Sequence, residues 1–145
     1  MKVVAIVRRV LREGVSYEEF RRAWFHRQGF GTGNQMLTLI NAENPREVIV
    51  IAITDTETVT PLELLRADRA ERSEHPLDEV IEVDVFRTFG VLVAEDDFSA
   101  GSSLTYQPAS VDGEVTDLSE VLESISSGQL LVQLAGRPNE AVQEP

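Results

Sequence analysis

Three runs in the first 94 residues are apolar at both parities: Val3-Val4-Ala5-Ile6-Val7, Val48-Ile49-Val50-Ile51-Ala52-Ile53 and Val91-Leu92-Val93-Ala94. Together with Met36 to Ala42 (MLTLINA) they predict four strands, at Lys2 to Val10, Met36 to Ala42, Glu47 to Thr54 and Val80 to Ala94. The stretch Ser16 to Gly29, SYEEFRRAWFHRQG, has helical spacing and two marked ends. Ser16 and Glu19 make an S-x-x-E capping box, Val15 and Phe20 stand at the staple positions, and Gly29 is placed for a left-handed C-terminal cap. At 100° per residue Tyr17, Phe20 and Trp24 share one side, while Glu19, Arg22 and His26 share the other. Trp24 is therefore expected to pack, and His26 to face water.

A second helix begins at Thr60-Pro61-Leu62-Glu63, another capping box with proline at the first helical position and Val59 and Leu64 as its staple. It should end near Glu74, because His75 precedes Pro76 and the residue before proline avoids helical backbone. On it Leu62, Leu65, Arg69 and Arg72 share a side, read either as a solvated, salt-bridged end or as an anion-binding edge. Phe30 to Asn34 (FGTGN) follows a helix, lacks dinucleotide-fingerprint spacing and reads as a connector. The order strand–helix–strand–strand–helix–strand predicts an α+β, ferredoxin-like βαββαβ fold with a four-stranded antiparallel sheet.

A sheet with helices on one face and water on the other should alternate apolar and polar residues. These strands do not, so both faces should be covered, the second by the tail or by a second subunit's sheet. Covering ~500–800 Å² of apolar surface contributes on the order of 10–20 kcal/mol gross. The expectation is a homodimer of sheets forming a shared barrel.

Charge separates the body from the tail. Net charge is −12, yet residues 1–94 hold 15 Asp/Glu and 12 Lys/Arg, whereas residues 95–145 hold 10 Asp/Glu and only Arg137. Residues 1–94 are read as the domain and 95–145 as an acidic C-terminal extension. In the extension Asp117 caps a short helix, about 118–127, with Leu118, Val121, Leu122 and Ile125 at helical spacing. Pro108 to Glu114 is read as loop, Leu130 to Leu134 as a brief strand, and Arg137 to Pro145 as disordered. No basic stripe offers itself to phosphates, which disfavours nucleic-acid binding. Absence of cysteine excludes disulfides and thiol chemistry. The opening apolar run, five residues before Arg8, is too short for a signal-peptide core and nothing later approaches a membrane span, so a cytoplasmic protein is expected.

The opening VVAIVRRVLREGVSYEEFRRAWFHRQG resembles the start of EthD-type domains of the dimeric α/β-barrel superfamily. The residues that carry the resemblance are Arg8, Arg9, Gly14, Ser16, Glu18, Glu19, Phe20 and Trp24. It implies a face-to-face homodimer with a small-molecule pocket between sheet and helices in each subunit. Relatives include cofactor-independent monooxygenases acting on polyketide-like aromatics, haem-degrading enzymes, isomerases and aldoxime dehydratases. Where EthD-type helices commonly carry a His-Gly pair this chain has Gln28-Gly29, so the role of that histidine does not transfer to His26.

Candidate chemistry is sparse. His75, at the end of the second helix, is either a cap favoured by the helix dipole or a general base at a pocket mouth. Tyr17, Trp24 and Gln28 share a helix face and are candidates for substrate binding, with Trp24 weighed against a plain core role. Asn41 and Arg87 are polar residues inside apolar runs, read as strand-end solvation, a dimer-interface hydrogen bond or pocket chemistry. The two histidines lie far apart with no carboxylate at ligand spacing, so no metal site is expected; the reading includes no cofactor. The resulting expectation is a dimer that binds a small apolar or aromatic molecule, with cofactor-independent oxygenation or isomerisation as the implied reactions. The alternative is a non-catalytic binding or scaffold module whose acidic tail contacts a partner.

Overall fold

The computed structural model describes residues 1–29, 33–55 and 61–127, with residues 61–65 described by their backbone alone. The elements are β1 (Lys2–Leu11), α1 (Tyr17–Trp24), β2 (Asn34–Ile40), β3 (Glu47–Asp55), α2 (Pro61–Glu74) and β4 (Ile81–Val91). A two-residue hairpin, β5 (Ser110–Val111) and β6 (Glu114–Val115), then leads to α3 (Leu118–Ser126). The first four strands form one antiparallel sheet in the order β2-β3-β1-β4. Strand order and helix placement make this a ferredoxin-like α+β fold.

Residues directly opposite in an antiparallel pair share a face. Val7 opposes Val50 and Arg9 opposes Val48, and on this face Leu11, Val48 and Val50 enclose Phe20 of α1, which is 0% exposed. Val15, Tyr17 and Trp24 pack against the same cluster, so the apolar side of α1 is buried as its spacing requires. The capping box forms: the Glu19 amide donates to Ser16 Oγ at 3.2 Å and the Ser16 amide to Glu19 Oε2 at 2.7 Å. The helix, however, stops at Trp24, and Phe25 leaves it in extended backbone (φ −58°, ψ 124°). Gly29 therefore does not cap it. The Thr60 cap and the side chains of Leu62 and Leu65 lie outside the described residues, as do Phe30 and the Leu130 to Leu134 segment.

The other sheet face carries Val4, Ile6, Leu37, Leu39, Ile49, Ile51 and Phe86. Leu37 and Leu39 are 45% exposed and Phe86 46%, so the described part of the chain leaves this face open at its flanks. The tail goes elsewhere. Thr116 Oγ1 donates to Val93 O at 2.7 Å and Lys2 Nζ meets Asp112 at 2.6 Å, which pins the hairpin to the start of β1 and the end of β4. The segment expected as loop is thus a hairpin, turned by Asp112 (φ 52°) and Gly113 (φ 81°). Of the apolar residues of α3 only Val121 is buried.

The β1–β4 pairing is irregular. Register shifts fall between Arg8 and Arg9 and between Val10 and Leu11. Val7 opposes Arg87 and Arg8 opposes Phe86, but Arg9 opposes Asp84, which leaves Val85 as the extra residue of a β-bulge.

Candidate functional site: a charged cleft between α2 and the β1–β4 edge

On the helix-bearing face, the C-terminal half of α2 and the β1–β4 edge enclose an open cleft of about 590 Å³. Arg9, Arg12, Arg72 and Arg87 line it with Asp68, Asp78, Glu82 and Asp84, and Pro76, Leu77 and Ile81 supply an apolar wall. Most of these charges are already engaged. Arg9 donates through Nε to Asp84 Oδ1 at 2.9 Å, a pairing that the bulge makes possible. Arg12 Nε donates to the carbonyl of Asp78 at 2.6 Å, and Glu82 pairs with Arg46.

Arg72 serves as a clamp. Its Nη1 donates to Ala23 O at 3.1 Å and its Nη2 to Trp24 O at 2.8 Å, two carbonyls at the C-terminal end of α1. The same Nη1 reaches His75 O at 3.4 Å beyond the end of α2. One guanidinium thus satisfies carbonyls that two helix ends leave without partners. Its Nε, buried and without a hydrogen bond, lies 3.7 Å from Asp68 Oδ1. Burial lowers the Arg72 pKa, against the opposing pull of Asp68 and Glu71.

Behind the cleft, His26 Nε2 lies 3.3 Å from Asp68 Oδ1, and the edge-on imidazole contacts Trp24 at 5.9 Å between ring centres. The His26 side chain is 10% exposed. The wheel put this residue in water, but His26 lies beyond the end of α1, where a helical angle no longer applies. Burial pushes the Asp68 carboxyl up, yet the His26 hydrogen bond and the charges of His26 and Arg72 outweigh it and hold the group below its ordinary value.

The structure separates the residues singled out from sequence. Arg87 lines the cleft, and among the described residues its side chain has no hydrogen bond or ion pair. Tyr17 and Trp24 pack around Phe20, with ring centres 6.3 and 6.2 Å from it. Gln28 is exposed. Asn41 is on the opposite, open sheet face, where its Nδ2 donates to Glu47 Oε1 at 3.2 Å and Arg8 Nε donates to the same oxygen at 2.6 Å. That Arg8 bond, the largest influence, holds the Glu47 carboxyl below its ordinary value. His75 does not line the cleft; its amide donates to Glu71 O at 2.8 Å. Sequence reasoning missed Arg9, Asp68 and Asp84 as site residues, and only the break in alternation at Val85-Phe86 hinted at the bulge that pairs Arg9 with Asp84.

Chemically, the cleft offers fixed charges beside an apolar wall and one carboxylate–imidazole pair at its back. It suits binding and orientation, with Asp68–His26 as the nearest group able to hold a proton. Among the described residues no set of three or more His, Asp or Glu is arranged to hold a metal ion, and no helix is long and apolar enough to cross a membrane.

No protein-family model matches this chain, and no curated protein matches it. Among solved structures it is similar to a candidate antibiotic biosynthesis monooxygenase from Chloroflexus aurantiacus J-10-fl, known from its crystal structure. Identity is 9% and the TM-score 0.49, over 68% of this chain and 100% of the other. The ferredoxin-like assignment itself rests on the strand order.

Proposed function

We propose that this chain is a homodimeric, cytoplasmic small-molecule-binding protein of the dimeric α/β-barrel type, with its ligand in the α2–β1–β4 cleft of each subunit. The observation that carries the reading is the cleft itself, where four arginines and an apolar wall meet in a space of about 590 Å³. That volume lies within the range of small-molecule sites. A small, largely apolar or aromatic molecule would lie along Leu77 and Ile81, with guanidinium groups above it. The half-exposed apolar residues of the open sheet face support the dimer. Catalysis, as a cofactor-independent oxygenation or isomerisation, would draw on the Asp68–His26 pair.

A thermal-shift panel of aromatic phenols, quinones and aromatic acids tests binding, and light scattering tests the dimer. A ligand present at 100 times its dissociation constant adds about 2.7 kcal/mol of stability. A shift that disappears in Leu77→Trp, which fills the cleft, supports the reading. No shift across the panel from a folded protein refutes it.

A second reading has its own observation. In the segment between Glu95 and Ser110, whose ends are joined by the Glu95 amide donating to Ser110 O at 2.9 Å, Phe98 is 78% and Tyr106 89% exposed. Large aromatic side chains held in water beside Glu95, Asp96 and Asp97 suit contact with a protein partner. On this reading the acidic extension, not the cleft, is the working surface.

A further inference from the structure

We infer that the ligand of the cleft carries a single anionic oxygen group, a carboxylate, held between Arg87 and Arg9; this rests on the cleft being the binding site. The charges of the cleft divide unevenly. Arg72 is committed to helix-end carbonyls and Arg12 to the carbonyl of Asp78. Arg87 is exposed and, among the described residues, has neither a carboxylate nor a carbonyl partner. Arg9 gives only its Nε to Asp84, which leaves its two terminal nitrogens without a hydrogen bond among the described residues.

Position brings these two together. Arg87 opposes Val7 on the helix-bearing face, and Arg9 is two residues along β1 on that face. Diagonal neighbours of this kind are about 7–8 Å apart, within reach of two long side chains converging on one group. Guanidinium groups match the flat, two-oxygen geometry of a carboxylate.

The same wall limits the charge. Asp84 and Asp78 stand close to the arginines, and the cleft holds as many carboxylates as guanidiniums. A second negative charge on the ligand would meet Asp84 rather than a free cation, so a carboxylate is preferred over a phosphate dianion. Leu77 and Ile81 then receive the uncharged body of the molecule.

The test uses the full chain and three probes of one shape: 2-naphthoate, 2-naphthamide and 2-naphthyl phosphate. Affinities are measured by calorimetry, and backbone amide shifts over residues 81–87 locate the site. Naphthoate is expected to bind at least tenfold tighter than naphthamide and no more weakly than the phosphate. In Arg87→Gln the preference for naphthoate should vanish while naphthamide affinity stays, and Arg87→Lys should restore part of it. Equal affinity for naphthoate and naphthamide, a preference that survives Arg87→Gln, or tighter binding of the phosphate overturns the carboxylate inference and leaves the cleft as a binding site. If no probe moves the amides of residues 81–87, the binding site itself is wrong and the inference falls with it.

Discussion

Replacing Arg72 by methionine isolates the helix clamp, because methionine keeps an apolar stem of similar length and removes the guanidinium. The wild-type side chain makes two good hydrogen bonds, 3.1 Å to Ala23 O and 2.8 Å to Trp24 O, and a long one of 3.4 Å to His75 O. A hydrogen bond from a charged donor contributes about 1.5–3 kcal/mol, and a buried carbonyl left without a partner costs about 1–3 kcal/mol. The side chain is 18% exposed, so water can reach part of the vacated space. The net loss should therefore be about 2–4 kcal/mol rather than the full sum. Urea unfolding at fixed protein concentration measures it: with a slope of about 2 kcal/mol per molar, the midpoint falls by about 1–2 M. Arg72→Lys supplies one point charge for two carbonyls and should recover less than half. The control is Arg22→Ala, whose side chain is 77% exposed and forms a surface ion pair with Glu18 one turn away; it should stay within about 0.5 kcal/mol of wild type. An Arg72→Met protein as stable as that control would refute the clamp.

Asp68 carries a pH dependence with a definite sign. Its folded pKa is held below the ordinary carboxylate value, so its contribution is fully present above about pH 4, the unfolded pKa, and is lost as pH falls through the lower folded value. Asp68→Asn should flatten that acid limb in urea titrations between pH 2.5 and 6, and an unchanged limb would show that the contact with His26 carries no linkage. At the tail hairpin, Gly113 has φ 81°, and Gly113→Ala should cost about 1 kcal/mol in thermal unfolding. A variant at least as stable as wild type would mean that the turn is not held in this conformation.

The fold was legible because its signals were local. The capping box, the Phe20 face of α1 and the breaks at Asn44-Pro45 and His75-Pro76 each marked an element end. The doubly apolar strands also showed that one sheet face lacks a polar covering, and Leu37, Leu39 and Phe86 bear the consequence as half-exposed side chains. What stayed hidden was mostly long-range. Arg72 and Trp24 are 48 positions apart, and no local pattern says that one guanidinium will serve both helix ends. The fate of His26 turned on where α1 stops. Because α1 ends at Trp24, His26 lies not on a solvent-facing helix side but against Asp68. The hairpin at Ser110 was the avoidable miss, since Val111-Asp112-Gly113-Glu114 carries the Asp-Gly signal of a two-residue turn. As for the site, Arg87 stood out as a charge inside an apolar strand, whereas the pairing of Arg9 with Asp84 required a register that no single strand displays.

That register makes Val85 a phase switch. On one side of it the odd-numbered residues of β4 oppose the odd-numbered residues of β1; just beyond it, the even-numbered ones do. Arg87 and Asp84, three positions apart, can therefore face the same way, which an uninterrupted strand forbids. Were Val85 paired rather than bulged, the alternation would run straight through this point and one half of β4 would turn over. Arg87 would then exchange places with an apolar neighbour, or Asp84 would leave Arg9 for the open face. The cleft thus keeps Asp84 and Arg87 together, and the open face keeps Phe86, only as long as that one residue stays unpaired.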